Sequence, residues 1–283
     1  MDQYDDANPE IVGLGASNCV VALYPNDPVL YRICIRSTSL QRNNQFLLED
    51  YHFINETIRP LLDEFLLEME LTALEPTLFQ KCLEPYVKNW DTDTLWTMKI
   101  PSLIPTNSTK IIIDHYSSVH IAVDGIVSWE LKPKWLYQSS EYCRNCTLCR
   151  IRGNSCKHCY AKLLEPGNQK KMVESIFEGI PVMRSFIEAA AEYFVRPDNI
   201  LQVLYKVQRD IDSALQPIES ASDVTPQHCL SMTLKDVSCF LFWHPGREII
   251  PKVIDVDKKQ PYRWTNWAAI ESRIEEFSEK VIH

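Results

Sequence analysis

Three groups of residues have types and spacings that could do chemistry. In the first, Lys132 and Lys134 stand two apart within residues 130–135 (ELKPKW), so an extended chain turns both toward one side. Pro133 between them fixes φ and stiffens the pair. Like charges held together are costly unless an anion lies between them, which points to a polyanionic ligand. The competing reading is a solvated edge strand blunted by lysines. In the second group, Asp236 lies in MTLKDVS, and Asp255 and Asp257 follow an apolar stretch in VIDVD. An Asp that ends a buried strand suits Mg²⁺ bridging phosphates, and an earlier Asp on a turn suits a general base or a shared metal ligand. Either is also a common cap. The third group is Cys143-x2-Cys146 and Cys156-x2-Cys159, with nine residues between the pairs. Thiolates two residues apart supply corners of a tetrahedral Zn²⁺ site, so a four-Cys structural zinc is expected, with Cys149 competing for a corner. Free buried thiols, or a zinc-centred nucleic-acid module, are the alternatives.

Near the start, Gly13 and Gly15 fall in residues 13–18 (GLGASN) between two strand candidates. Small residues let backbone N–H groups approach phosphate oxygens. A strand follows rather than a helix, and no Walker lysine is present, so this is neither a dinucleotide fingerprint nor a P-loop. It is similar to the glycine-rich hairpin that covers nucleotide phosphates in kinases; otherwise it is a plain turn. The chain has only seven glycines, so two here are expected to serve positive φ or close backbone approach. Arg36 closes the next strand candidate and Glu130 lies on a later one. Kinases place such a cation on nucleotide phosphates and orient it with a carboxylate; a surface salt bridge is the bland reading.

The elements that must position these residues are legible in outline. Ile11–Tyr24 reads as strand–turn–strand, and Val29–Ser37, Leu95–Ile100, Lys110–Asp114 and Val127–Lys132 read as strands. Residues 46–74 carry a helical pattern that Pro60 breaks. The polar run 114–125 reads as a connector. Helices are expected over 170–195, interrupted at Gly179-Ile180-Pro181, and over 198–215, where Ile200, Val203, Leu204, Val207 and Ile211 share a face. Thr225 is placed as N-cap and Pro226 at N1 of a further helix. Cys239–Trp243 and Glu248–Val256 pair through Pro245-Gly246. The pattern predicts an α+β fold in two lobes, residues 1–113 and 127–283, with a hinge over 114–126 and a ligand cleft between lobes.

At 283 residues, 45% hydrophobic and 24% charged, the chain can bury a core without staples, and bulk disorder is excluded. A net charge of −9 disfavours general nucleic-acid binding. The acid is uneven: Asp2, Asp5, Asp6 and Glu10 read as a solvated tail. Arg144, Arg150, Arg152, Lys157 and Lys162 instead lie in a stretch without Asp or Glu, which can focus an anion. No apolar run exceeds about six residues, so no membrane span or secretory segment is expected, and the chain reads as soluble and intracellular. Ten cysteines in that setting argue against a disulfide framework.

Taken in order, GLGASN, ICIR, IIIDH, ELKPKW, YCRNC, MTLKDVSCF, VIDVDKK and YRWTNW run from residue 13 to residue 267 and resemble the inositol-pentakisphosphate 2-kinase family, in its short fungal form. The resemblance implies a two-lobed kinase-like fold with an added inositide-binding region in the second lobe. It implies transfer of the ATP γ-phosphate to the 2-hydroxyl of inositol 1,3,4,5,6-pentakisphosphate, giving inositol hexakisphosphate. It also implies Mg²⁺, structural Zn²⁺, a nuclear location and a monomer without membrane or nucleic-acid partners. Gly13, Gly15, Asn18, Arg36, Asp114, His115 and Glu130 then meet ATP. Lys132 contacts the transferring phosphate and substrate, and Lys134, Lys157, Asn199, Lys259 and Arg263 hold the inositide. Asp236 is the base and shares Mg²⁺ with its ligand Asp255. Trp267 stands near a Tyr contact of the plant form, and Arg42 or Lys99 substitutes for one of its arginines. Lys259 and Arg263 are four apart, one helical face if that segment is helical with Pro261 in the first turn.

Overall fold

The computed structural model describes residues 7–154 and 156–283; Asp2, Asp5 and Asp6 of the expected acidic tail lie outside them. The chain is mixed α and β and divides into two compact units, Met1–Thr106 and Asn107–His283. The division falls before the expected hinge, because residues 114–126 are not a connector. They close one β-hairpin and open the next.

In the first unit, β1 (Glu10–Leu14) and β2 (Asn18–Ala22) form the hairpin read around the glycines. β3 (Val29–Cys34) follows, then α1 (Leu40–Phe53), α2 (Arg59–Leu62), β4 (Glu70–Leu74), α3 (Pro76–Leu83) and β5 (Leu95–Pro101). The sheet order is β1-β2-β3-β5-β4. Residues 46–74 are therefore not all helical. A π turn at Ile54–Ile58 precedes Pro60, whose missing N–H and ring interrupt the ladder, and the last five residues are an edge strand. Neither Gly13 nor Gly15 has positive φ. A bulge sits between Ile11 and Gly13, and a Cβ on Gly15 would lie 3.4 Å from the Asn18 carbonyl oxygen, so close approach is the local need.

Helix α1 shows how sequence fixes placement here. Leu40, Asn43, Asn44, Leu47 and Asp50 recur at helical spacing and are buried. Buried amides must be satisfied. The Asn43 amide binds both backbone groups of Ser37, and the Asn44 amide binds Trp96 N–H and the Thr94 carbonyl. The helix is thereby pinned to the segment after β3 and to β5.

The second unit is built on the sheet β10-β9-β8-β7-β6. Its strands are β6 (Ser108–Asp114), β7 (Ser117–Ala122), β8 (Val127–Leu131), β9 (Ser238–Trp243) and β10 (Ile250–Ile254), all antiparallel. Between β8 and β9 come α4 (Arg144–Arg152), α5 (Gln169–Ile176), α6 (Arg184–Val195), α7 (Ile200–Asp212) and α8 (Pro226–Leu234); α9 (Trp264–Glu276) ends the order. Inner strand β9 carries Cys239, Leu241 and Trp243, all essentially inaccessible. Edge-to-face contacts from Trp129 to Phe177 and Phe194, and a tilted contact between Phe186 and Trp243, pack α6 and the end of α5 on the sheet.

Candidate active site

The ends of three neighbouring strands bring the acidic and basic candidates together. Lys132 follows β8, Asp236 and Ser238 flank the start of β9, and Asp255 follows β10. The register Leu131↔Cys239 and Ile254↔Ser238 puts these ends at one edge of the sheet. Asp236 is clasped by two lysines: Lys134 Nζ donates to Oδ1 and Lys259 Nζ to Oδ2, each at 2.5 Å. Burial works against the Asp236 charge, but the two ammonium groups outweigh it and bring its pKa down to about 2. Burial likewise pulls Lys134 below its ordinary value, opposed by Asp236. Asp255 receives Ser238 Oγ at 2.6 Å and Lys132 Nζ at 3.4 Å, both on Oδ2.

Two of these residues sit in left-handed backbone, Lys134 at φ 59° and Asp255 at φ 61°. Side chains other than Gly adopt that region rarely, and its cost persists only where neighbours fix the backbone. At Lys134 the fixing residue is Gln208 of α7, fully buried. Its Oε1 accepts Leu136 N–H and Tyr137 N–H, and its Nε2 donates to the Lys134 and Leu234 carbonyls. One amide therefore ties the ELKPKW segment to α7 and to the residue two before Asp236.

Lys134, Asp236, Lys259 and Arg263 line a cavity of about 330 Å³ together with Arg144, Arg152 and Lys235. Six cations thus face one carboxylate, and every lining residue belongs to the second unit. His115 and Trp267 line the same cavity. Pro261 opens a 3₁₀ turn, Pro261–Arg263, that leads into α9; Lys259 precedes it, so the two basic residues converge without sharing a helix. Arg144, Arg152 and Lys235 were not assigned a role from sequence, although the first two lie in the basic stretch noted there.

Other candidates are placed elsewhere. Asn199 is the N-cap of α7: Oδ1 accepts Leu201 and Gln202 N–H, and Nδ2 donates to the Phe194 and Arg196 carbonyls. Its amide is fully used and it is 1% exposed, so it corrects to a structural cap. Lys157 is exposed and does not line the cavity. Asp114 accepts Tyr116 N–H and His158 N–H, while Glu130 accepts Ser118 Oγ. Arg42 lies over Phe46 and Lys99 pairs with Glu70, so both already have partners. In the first unit, Gly15 N–H donates to the Asn18 carbonyl at 2.8 Å and closes the hairpin turn. Arg36 pairs at 2.5 Å with Asp50, which is 1% exposed. A carboxylate that orients Arg36 therefore comes from α1.

The cysteines also rearrange. Cys149 and Cys156 form a disulfide across the C-terminal end of α4, which Gly153 caps at φ 64°. Cys156 accordingly leaves the expected four-Cys set. In its place, Cys143, Cys146, Cys159 and His283 hold their donor atoms within 4.8 Å of one another. The terminal segment is held there by Cys143 N–H donating to the Val281 carbonyl and Val281 N–H to Thr147 Oγ1. Hydrogen bonds with Cys146 and Cys159 hold the Cys143 thiol far below the usual range, while hydrogen bonds with Cys143 and Cys146 push Cys159 up. Three converging sulfurs and an imidazole are the donor chemistry of a tetrahedral Zn²⁺ site.

No family model matches the chain. Curated relatives do. The chain is 38% identical over 277 residues to the inositol-pentakisphosphate 2-kinase of Eremothecium gossypii, covering 97% of this chain and 99% of that protein. It is 31% identical over 280 residues to that of Saccharomyces cerevisiae, covering 97% and 98%, and 33% identical over 281 residues to that of Candida glabrata, covering 96% and 100%. With identities above 30% across nearly the whole of each protein, the chain belongs to the inositol-pentakisphosphate 2-kinase family.

Proposed function

We infer that the protein transfers the γ-phosphate of ATP to the 2-hydroxyl of inositol 1,3,4,5,6-pentakisphosphate, making inositol hexakisphosphate. The observation that carries this assignment is the convergence of Lys134, Lys259 and Arg263 around Asp236 in a cavity with six cations and one acid. Such a surplus of positive charge suits a polyanion of small size. Inositide phosphates draw Lys134 and Lys259 onto themselves and thereby release the Asp236 oxygens. A released carboxylate regains basicity and takes the proton of the attacking hydroxyl. Lys132 meets the transferring phosphate. Asp255 fits a Mg²⁺ ligand, since both its contacts fall on Oδ2; Mg²⁺ held there offsets charge on the phosphates. In a kinase-like division of labour, the Gly13–Asn18 turn and the Arg36–Asp50 pair serve the nucleotide phosphates, while the second unit holds the inositide. Cys143, Cys146, Cys159 and His283 hold a structural Zn²⁺ that anchors α4. A zinc-centred nucleic-acid module is disfavoured by the kinase relatives that span the chain.

The test is incubation with ATP, Mg²⁺ and inositol pentakisphosphate, with the product resolved by isomer. Lys134→Ala, Lys259→Ala and Arg263→Ala should each raise the inositide KM by about tenfold, the effect of one lost charged hydrogen bond, with ATP KM unchanged. Phosphate arriving at another position, or no turnover, contradicts the assignment.

A further inference from the structure

Trp135, the last residue of ELKPKW, holds two cations against its indole. Arg144 Cζ lies 3.7 Å and Lys235 Nζ 3.8 Å from the ring centroid. Like charges this near one centroid avoid each other only by taking opposite faces, so the ring separates them. Each cation also has a carboxylate. Arg144 Nε donates to Glu271 at 2.8 Å, and Lys235 Nζ pairs with Asp212 at 2.6 Å. Both cations are nearly buried, at 7% and 5% exposure.

The two cations line the cavity around Asp236, whereas their carboxylates do not. Glu271 and Asp212 line a second cavity of about 680 Å³, and Trp135 and Lys235 belong to both walls. The indole thus stands in the wall between the two spaces: of the two cations Arg144 lines the first only and Lys235 reaches both, while the two acids line the second only. Both ion pairs are already at contact distance, so the ring's part is to fix where the paired cations stand; without it, each cation is free to swing with its acid away from the first cavity. Trp135 itself is fixed from α4, where the Asn145 amide bonds both Trp135 backbone groups.

We propose that Trp135 is a positioning residue for inositide recognition: its indole holds Arg144 and Lys235 toward the anion cavity against the pull of Glu271 and Asp212. The proposal rests on the inositide assignment above. It concerns binding of a densely phosphorylated ring rather than the chemical step, so it moves KM and leaves kcat nearly alone. A ligand with fewer phosphates has less use for two added cations and loses less.

The experiment compares wild type, Trp135→Phe and Trp135→Leu by kinetics and by calorimetric titration with inositol hexakisphosphate, which needs no turnover. Trp135→Leu should weaken the inositide about tenfold in KM and Kd, the loss of about one charged contact, with ATP KM unchanged and a smaller loss for an inositol trisphosphate. Trp135→Phe keeps a π face and should restore most of the affinity. A second variant has the opposite sign: Glu271→Gln frees Arg144 and should tighten the inositide, so the proposal stays testable even if Trp135→Leu does not fold. Unchanged inositide affinity in Trp135→Leu, equal loss for ATP and inositide, or weaker binding by Glu271→Gln overturns the role of Trp135. A wild-type protein that binds no inositide overturns the functional assignment first, and the role of Trp135 falls with it.

Discussion

Replacing Asp236 by Asn tests the clasp and the base together. The change keeps the shape of the side chain and removes its charge, so Lys134 and Lys259 lose the one carboxylate to which both donate at 2.5 Å. A charged hydrogen bond is worth about 1.5–3 kcal/mol, but the Asp236 side chain is 45% exposed and solvent screens part of that. About 1–2 kcal/mol of competition for the two lysines then disappears, equivalent to an inositide bound about 5- to 30-fold more tightly. The same variant has no base for the hydroxyl proton, so kcat should fall by at least about 10²-fold. The two ammonium groups, left beside each other, should lower the melting temperature by about 2–4 °C, and inositide should restore it. The assays are steady-state kinetics, titration with inositol hexakisphosphate and thermal melting on one preparation. Normal kcat in a folded Asp236→Asn protein removes Asp236 as the base. A large rise in inositide Kd means the carboxylate builds the lysine arrangement instead of competing with substrate for it.

Other expectations follow from single contacts. The pKa of Asp236 lies at about 2, below the ordinary 3.8, so its contribution to stability is present above about pH 4 and lost as pH falls toward 2; acid unfolding followed by circular dichroism should show that loss in wild type and not in Asp236→Asn. Asp50→Asn loosens Arg36 and should raise ATP KM about tenfold with inositide KM unchanged, measured by varying each substrate. Gln208→Leu strands two buried carbonyls and two N–H groups, and should cost at least about 3 kcal/mol in denaturant unfolding. Metal analysis should find about one Zn per chain, lost in Cys143→Ser and in His283→Ala but retained in Cys156→Ser.

The parts of the fold that sequence made legible are those in which polarity tracks burial. The amphipathic pattern of α7 gave that helix within a few residues, and Thr225 with Pro226 marked the start of α8, where Thr225 indeed accepts the His228 N–H. β7 was missed because three of its five buried residues, Ser117, Ser118 and His120, are polar. Ser117 and Ser118 are 5% exposed, yet Ser117 Oγ receives Trp129 Nε1 and donates to the Glu130 carbonyl, and Ser118 Oγ donates to the Glu130 carboxylate. Polar side chains satisfied by neighbouring strands look like a loop when only their type is known. At the site, residues close in sequence to a motif were found, and residues supplied from a distance were not. Asp50 reaches Arg36 from a helix face whose register shows only once the helix is placed. His283 lies 137 residues from Cys146, and no spacing rule connects them. Asn199 shows the converse: a polar residue at a helix start is explained by capping alone.

The left-handed backbone at Lys134 and Asp255 has a consequence for anyone wishing to harden this protein. At both positions Gly would relax the chain, and the relief is about 1 kcal/mol each. That relief is offset by the contacts the same two side chains make, Lys134 with Asp236 and Asp255 with Ser238 and Lys132, so glycine gains little endurance while deleting a charged head group. Hardening is better sought at positions that touch neither these carboxylates nor their lysines.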